Sequence, residues 1–224
     1  MNAKKHIVIF SHGFGVRKDS GGFFTEIEKM LSHEGIKSVM FDYNKINEEK
    51  NELTVMSFSE QAEILKSAIK EAQARDRDAA IDIIAHSQGA VMVALADVGK
   101  IRKIVLLAPF FHTDIHDVAE RYKKFPSSQI DFKGISRRTR SDGSTTIIPK
   151  SYWQERFATD VYSLYNNLAS NSDLTIINAS EDEIMDKINL SRIFNAHILN
   201  VHGDHNFSGE NRKNLIEVIK NLVI

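Results

Sequence analysis

The feature that most constrains the fold is a regular alternation of short apolar runs with longer segments of helical periodicity. Several runs are apolar at successive positions, as in residues 7–10, which is typical of strands covered on both faces. Candidate strands lie at residues 6–10, 37–43, 80–85, 103–108, 174–179 and 197–201. Candidate helices lie at residues 22–33, 57–74, 90–98, 152–169 and 210–223. Strands separated by helices form right-handed crossovers, so the sequence predicts an α/β fold with a doubly wound, mostly parallel sheet of about six strands.

Length and composition limit the class of protein. The chain has 224 residues, of which 42% are apolar and 26% are charged, so we expect a single domain over residues 1–224. Its 29 basic and 30 acidic residues leave a net charge of -1, which argues against a nucleic-acid or membrane partner. The absence of cysteine excludes disulfides, thiolate zinc sites and cysteine nucleophiles. The apolar runs are too short for a membrane span, and the first stops at Ser11 before a secretory signal forms, so we expect a cytoplasmic protein.

One long interval departs from the alternation of strands and helices. Residues 109–150 show little core-like periodicity and contain clusters of polar and charged side chains. An insertion after the carboxyl end of a strand lies over the crevice in which open α/β sheets bind ligands. We therefore expect a small cap or lid over residues 109–150, with a solvated surface loop as the alternative.

The strongest local signal is the segment 83–90, where a buried-strand pattern runs through Ser87 directly into an apolar helix. This is the layout of a nucleophile elbow, a tight turn that needs small residues two positions before and two positions after the serine. Ala85 and Gly89 occupy those positions. The turn places Ser87 at the amino end of a helix, where N–H groups stabilise developing negative charge. The segment therefore predicts a nucleophilic serine suited to acyl transfer.

A serine nucleophile needs a histidine as its base and a carboxylate that orients the histidine. The last two candidate strands are followed by such groups, at residues 180–183 and 202–207. Both loops open on the same edge of the sheet as Ser87, and their candidates include Asp182 for the acid and His205 for the base. The alternatives that stay open are His202 for the base and Glu181, Glu183 and Asp186 for the acid.

Four separate stretches resemble the α/β-hydrolase superfamily, and the likeness covers nearly the whole chain. They are an oxyanion loop at residues 12–15, the elbow at 85–89, an acid turn at 179–182 and a histidine loop at 203–207. The resemblance implies that Ser87 is the nucleophile, Asp182 the orienting acid and His205 the base. It also implies an oxyanion hole made by the backbone N–H groups of Phe14 and Gln88, and chemistry that needs no cofactor.

Within the superfamily the chain looks most like small bacterial carboxylesterases of the feruloyl or cinnamoyl type. Three places depart from the superfamily pattern: Ala85 and Ala179 stand where glycine is usual, and residues 43–47 replace a glycine-rich turn. Only five residues precede the first candidate strand. We therefore expect the superfamily's opening antiparallel hairpin to be missing and the sheet to be a minimal six-stranded core.

Two charged clusters allow both a functional and a structural interpretation. His112 and His116 have the spacing of metal ligands on a helix, but an exposed turn explains them as well, and we expect no metal. Arg137, Arg138 and Arg140 suit an anionic substrate group, although we favour the solvent-facing position that is usual for such runs.

Aromatic and glycine residues near the predicted site also allow more than one interpretation. Phe14 and Phe207 are the best candidates for the wall of an apolar substrate pocket, because each adjoins a predicted site residue or loop. The glycines of residues 12–22 follow a first strand, as in nucleotide-binding proteins, but their spacing matches neither common phosphate-binding pattern.

These features predict a serine hydrolase that cleaves a small-molecule carboxylic ester or thioester. Because the histidine must be neutral to accept a proton, we expect activity to rise with pH through the reference histidine pKa of about 6.5. Peptidase or acyltransferase chemistry uses the same three groups and stays open. A hydrolase-fold protein that binds a ligand without turnover is the alternative from another functional class.

Overall fold

The strands of the protein belong to two separate sheets. A computed structural model describes residues 5–125, 127–140, 142–185 and 188–224. Within these residues the strands are β1 (His6–Ser11), β2 (Lys37–Met40), β3 (Lys45–Asn47), β4 (Glu52–Thr54), β5 (Ala80–His86), β6 (Lys103–Leu107), β7 (Ser136–Thr139), β8 (Thr145–Ile148), β9 (Leu174–Ala179) and β10 (His197–Val201). The α-helices are α1 (Phe23–His33), α2 (Phe58–Arg75), α3 (Gly89–Leu95), α4 (Ile115–Lys123), α5 (Lys150–Ala158), α6 (Val161–Asn171) and α7 (Glu210–Val223).

The central sheet has six strands in the order β10-β9-β6-β5-β1-β2, and every neighbouring pair is parallel. All six predicted strands are present, which confirms the predicted fold class and the minimal six-stranded core. The second strand is shorter than predicted and ends at Met40. It leaves the sheet early because Tyr43 turns back to the end of β1, where its N–H donates to His12 and its hydroxyl contacts Ser11.

Both faces of the central sheet are covered, as its continuous apolar strands require. Ile7 and Ile9 share one core with α2, α3 and α6, whereas the alternate residues Val8 and Phe10 share the other core with α1 and α7. Successive strand residues point to opposite faces, so each strand contributes to both cores. Because the strands are parallel, the loops that follow their carboxyl ends all lie at the same edge of the sheet.

A second sheet, which the sequence did not predict, has the order β3-β4-β8-β7. Its strands β4 and β8 run parallel, and the two outer pairs are antiparallel. Each strand has three or four residues, too few to show a clear periodicity. Strands β7 and β8 lie in the interval 109–150, and together with α4 they give that interval a regular structure of its own.

The predicted helix over residues 152–169 is two helices, α5 and α6. The chain is extended at Thr159, and the Asp160 carboxylate accepts a hydrogen bond from the N–H of Ser163 at 3.1 Å. Aspartate in this position is a helix N-cap, so the second helix starts afresh inside one apolar run. No helix in the described part of the chain combines the length and the apolarity that crossing a membrane requires.

Candidate active site

Ser87 occupies the sharp turn between β5 and α3. Its φ angle is 54°, in the left-handed region that non-glycine residues rarely adopt. The hydroxyl of Ser11 donates to the carbonyl of Gly89 at 2.8 Å, which shows how closely β1 approaches the start of α3. A Cβ atom added at Gly89 would lie 2.1 Å from the carbonyl oxygen of Ser11. The small residue that the sequence predicted after the turn is therefore required by a backbone contact.

Replacing Gly89 by alanine is expected to lower the free energy of unfolding by about 3 kcal/mol or more, because backbone atoms have to move apart. Chemical denaturation measures this loss. The matched control is Gly99→Ala, where nothing lies within 4 Å of the added Cβ and only the φ of 66° is unfavourable. That control should lose about 1 kcal/mol. Equal losses in the two variants would contradict the steric explanation.

Ser87, His205 and Asp182 form one hydrogen-bonded line. The Oγ of Ser87 lies 2.9 Å from Nε2 of His205, and Nδ1 of His205 lies 2.7 Å from Oδ2 of Asp182. The loops that carry the acid and the histidine follow β9 and β10, and they are joined by hydrogen bonds from Ser180 N–H to Val201 and from Glu181 N–H to Gly203. Parallel neighbouring strands thus deliver three residues from distant parts of the sequence to one edge of the sheet.

The Asp182 side chain is only 4% exposed, yet its surroundings favour the charged carboxylate. Burial alone would raise its pKa, but the hydrogen bond and charge of His205 and the N–H groups of Met185 and Ile184 hold the pKa below its usual value. Both N–H groups donate to Oδ1, at 2.9 and 2.8 Å, which leaves Oδ2 for His205. The carboxylate is therefore fixed in position and ionised near neutral pH.

His86, next to Ser87, supports the loop of His205. Its Nε2 lies 2.9 Å from the backbone carbonyl of His205, and only a protonated Nε2 can donate to that oxygen. Burial, together with the electrostatic effect of the nearby His205, lowers the pKa of His86 to about 3. The ring is therefore a neutral Nε2–H donor, and it also packs edge-on against Phe23. His86 therefore holds the backbone of His205 in place, and its contacts agree with the packing role predicted from the sequence.

The loop after β1 is held beside Ser87 by His12. Nδ1 of His12 donates to the carbonyl of Gly13 at 2.9 Å, and Nε2 accepts from the N–H of Tyr43 at 3.0 Å. Burial lowers the pKa of His12, which keeps the ring neutral in this tautomer. A Cβ at Gly13 would lie 3.2 Å from the Cβ of Ser87, so the loop passes very close to the serine.

The N–H groups of Phe14 and Gln88 were predicted to form the oxyanion hole. Phe14 follows the close contact of the loop with Ser87, and Gln88 precedes the first residue of α3. In the described ranges neither backbone N–H donates to a protein acceptor. The side chain of Gln88 is held by two neighbours: it accepts from the hydroxyl of Tyr152 at 2.5 Å and donates to Gln61 at 3.1 Å.

A cavity of about 340 Å³ opens at Ser87 and His205. This volume is in the range of sites that bind small molecules. Apolar parts of its wall come from Phe14, Phe110, Tyr122, Phe125, Ile184 and Met185. The charged part of the wall is a set that we call the arginine cluster: Arg121, Arg138, Arg140 and Arg156. Among the described residues that line the cavity there is no aspartate or glutamate.

Several residues weighed as alternatives lie outside this site. His202 is exposed and faces Glu181 at 3.7 Å instead of Ser87. Glu183 is exposed, and Asp186 lies outside the described residues. His205 and Asp182 are thus the histidine and the acid that the structure brings to Ser87.

Two other sequence predictions need correction. Phe207 does not line the cavity, because it is fully buried and stacks against Phe23 in the core beneath α1 and α7. The solvent-facing position favoured for the arginine run holds only for Arg137, since Arg138 and Arg140 line the cavity.

The histidines considered as metal ligands do not share a helix. His116 lies in the first turn of α4, whereas His112 precedes that helix. Within the described ranges no group of three or more histidine, aspartate or glutamate side chains is placed to hold a metal ion.

Sequence reasoning missed Arg121 and Arg156 as residues of the cavity. Arg121 lies in α4, a helix that the sequence did not predict. Arg156 lies in α5, which the prediction merged with α6 into one helix. The one signal in the sequence was that apolar residues surround Arg156. In the folded chain Arg156 is 5% exposed. A buried arginine usually has a partner or a function.

The parallel sheet, the strained serine turn and the Ser-His-Asp hydrogen bonds together define a serine hydrolase with the α/β-hydrolase fold. Residues 2–148 match the family described as serine aminopeptidase, S33. The chain belongs to this family, which confirms the resemblance to α/β-hydrolases seen in the sequence. None of the curated proteins compared with the chain matches it significantly.

Solved structures of hydrolases share the fold over nearly the whole chain. Est1E from Butyrivibrio proteoclasticus, also solved with ferulic acid bound, has a TM-score of 0.67 at 15% identity, covering 99% of this chain and 88% of that one. For the metagenome-derived lipolytic enzymes LipS and LipT the TM-score is 0.68 at 13% identity, with coverage of 99% and 94%. An alpha-beta serine hydrolase homologue from Coxiella burnetii has a TM-score of 0.60 at 15% identity, with coverage of 100% and 88%.

Proposed function

We propose that the protein hydrolyses carboxylic esters or thioesters through an acyl-enzyme on Ser87. The observation that carries this proposal is the distance of 2.9 Å between Oγ of Ser87 and Nε2 of His205, with Asp182 on the other ring nitrogen. This is the arrangement that activates a serine hydroxyl. The fold similarity to Est1E and to lipolytic enzymes supports the same substrate class.

In this mechanism Nε2 of His205 takes the proton from Ser87 as Oγ attacks the carbonyl carbon. The carbonyl oxygen becomes an oxyanion, which collapses to expel the alcohol or thiol, and His205 returns its proton to that leaving group. Water then attacks the carbonyl carbon of the acyl-enzyme in the same way, with His205 taking its proton, and this step releases the acid and frees Ser87. Asp182 holds Nδ1–H and stabilises the imidazolium that forms in each half of the cycle.

The oxyanion is assigned to the backbone N–H groups of Phe14 and Gln88. Neither has a protein acceptor among the described residues, so both are available to a ligand. Gln88 N–H also lies at the amino end of α3, where the helix dipole favours negative charge. Losing one such donor typically costs about 3 kcal/mol of transition-state stabilisation.

The interval 109–150 is assigned as a small cap over this site. It supplies Phe110, Arg121, Tyr122, Phe125, Arg138 and Arg140 to the cavity wall. The cap thus determines much of what surrounds a bound substrate, while the central sheet holds the reacting groups.

Aminopeptidase activity is the second candidate, because the family description names it. A substrate of an aminopeptidase carries an α-ammonium group close to the scissile bond, and a carboxylate normally pairs with such a charge. The described wall of the cavity contains four arginines and no carboxylate, so it repels a cation near Ser87. The charge of the wall favours an ester or thioester over an aminoacyl amide.

A fluorophosphonate probe and a substrate panel test the proposed function. The probe should label the wild-type protein at Ser87, and the panel should show cleavage of p-nitrophenyl esters or acyl-CoA thioesters but not of aminoacyl p-nitroanilides. His205→Ala should abolish both labelling and cleavage. A wild-type protein that stays unlabelled and inert would favour a ligand-binding protein without turnover, and cleavage of the anilides alone would establish a peptidase.

A further inference from the structure

We propose that the substrate carries an anionic group, a carboxylate or a phosphate, apart from the carbonyl that Ser87 attacks, and that the arginine cluster binds it. This inference rests on the proposed function and specifies its substrate class. It is carried by the position of the arginine cluster in the wall of the same cavity as Ser87 and His205.

The positive charge of the arginine cluster is not neutralised within the described structure. Arg121 donates to the carbonyl of Ile184, and Arg140 donates to the hydroxyl of Thr146 and the carbonyl of Phe14. Arg156 donates to the carbonyl of His112 and the hydroxyl of Tyr152. All of these acceptors are uncharged oxygens. Among the described residues no member of the cluster forms an ion pair, although the chain as a whole has a net charge of -1.

Arg138 is the member best placed to take a ligand. Its guanidinium lies over the ring of Phe125 at 4.5 Å and near that of Tyr122 at 5.8 Å, which orients the planar group. Its Nε atom is buried and has no hydrogen-bond partner in the described part of the chain. A guanidinium presents five N–H donors in a fork that fits the two oxygens of a carboxylate or phosphate.

The charges of the cluster also act on one another. Burial lowers the pKa of Arg121, and the nearby guanidinium groups of Arg156 and Arg138 lower it further, while the charge of Asp182 opposes them in part. Burial likewise lowers the pKa of Arg140, and the charge of Arg138 adds to this effect while Asp142 opposes it. A bound anion relieves the repulsion between these cations, so the cluster favours anion binding.

A purely structural explanation accounts for part of the cluster only. The hydrogen bonds of Arg121, Arg140 and Arg156 brace backbone segments around the cavity, as buried arginines often do. They do not require that the described wall contain no carboxylate, and among the described residues they give no hydrogen-bond role to the Arg138 side chain. The adjacent Arg137 shows the ordinary alternative, since it is exposed and pairs with Glu52 at 3.2 Å.

The test compares esters with and without an added anionic group. On the acyl side they are the p-nitrophenyl esters of hexanoic acid, adipic acid and ω-phosphonohexanoic acid. On the leaving-group side they are p-nitrophenyl butyrate and carboxy-nitrophenyl butyrate. We expect at least one charged ester to exceed its uncharged counterpart in kcat/KM by about tenfold or more, the value of one charged hydrogen bond. Arg138→Met should lower that ratio by about tenfold.

Arg137→Met is the matched control, because it removes the same charge from the next residue of the same strand. It should leave the ratio of charged to uncharged ester within about twofold of wild type, since exposed ion pairs contribute little. The inference is wrong if uncharged esters are cleaved and no charged ester is preferred. It is also wrong if Arg137→Met and Arg138→Met lower the ratio equally.

A binding measurement separates failure of this inference from failure of the proposed function. Calorimetry on Ser87→Ala should show that adipic acid monoamide, which carries one carboxylate, binds about tenfold or more tightly than uncharged hexanamide. The preference should be lost in Ser87→Ala/Arg138→Met. Equal binding of the two amides overturns the inference, even if the wild type proves to be an esterase. Preferential binding of the monoamide, when the wild type is not labelled by a fluorophosphonate, would overturn the hydrolytic mechanism alone.

Discussion

Replacing Ser87 by alanine should lower kcat for ester cleavage by at least about 10⁴-fold, because the proposed mechanism then lacks the nucleophile of its acyl-enzyme. The hydroxyl contacts His205 at 2.9 Å and has no role in a helix or strand ladder, so the fold should survive. Stopped-flow or steady-state hydrolysis of p-nitrophenyl butyrate measures the loss, and circular dichroism checks the fold.

The control for this variant is Ser67→Ala. Ser67 is an exposed residue of α2 whose hydroxyl only donates to the carbonyl of Glu63 at 3.0 Å. It should retain wild-type kcat and wild-type fluorophosphonate labelling. Residual ester cleavage in Ser87→Ala within about tenfold of wild type would assign the chemistry to another group.

Asp182→Asn should lower kcat by about 10⁴-fold while preserving the structure. Oδ1 of Asp182 accepts two backbone N–H groups, so the amide oxygen of asparagine will stay there and its NH₂ will face His205. That NH₂ can only donate, which forces Nδ1 of His205 to give up its proton and moves the proton to Nε2. His205 can then no longer accept the proton of Ser87.

Glu181→Gln is the matched control for the acid. Glu181 is the preceding residue and carries the same charge, but it is exposed and faces His202. Its kcat should stay within about twofold of wild type, as expected for an exposed charge. If the two variants lose activity equally, Asp182 is not the orienting acid.

The central sheet and the serine turn were predictable because their signals are local. Residues 80–85 are apolar at nearly every position, and the small residues Ala85 and Gly89 flank Ser87 directly in the sequence. The pairing of Asp182 with His205 was predictable for a related reason. Both follow late strands, and parallel neighbouring strands bring their carboxyl ends together.

The arginine cluster was not predictable, because its members come from different elements. Arg121 lies in α4, Arg138 in β7 and Arg156 in α5, and only tertiary packing brings them to one wall. Sequence proximity also misled, since Arg137 and Arg138 are neighbours that point in opposite directions. Successive residues of a strand face opposite sides, and a strand of four residues is too short to be recognised from its pattern.

Phe207, close to His205 in the sequence, shows the same limit of sequence-based prediction. It is two residues from His205, yet its φ of 49° turns its side chain into the core. A left-handed residue in a loop reverses the direction that sequence spacing suggests, and such a conformation has no clear signature in a phenylalanine.

The parallel pairing of β4 with β8 has a consequence for protein engineering. Strand β4 precedes α2 in the sequence, whereas β8 belongs to the interval 109–150. The two strands nevertheless share one hydrogen-bond ladder. Excising that interval, or exchanging it for the equivalent segment of another hydrolase, would expose the edge of β4 and invite aggregation. A chimaera designed to acquire new substrates therefore has to transplant residues 45–54 together with residues 109–150.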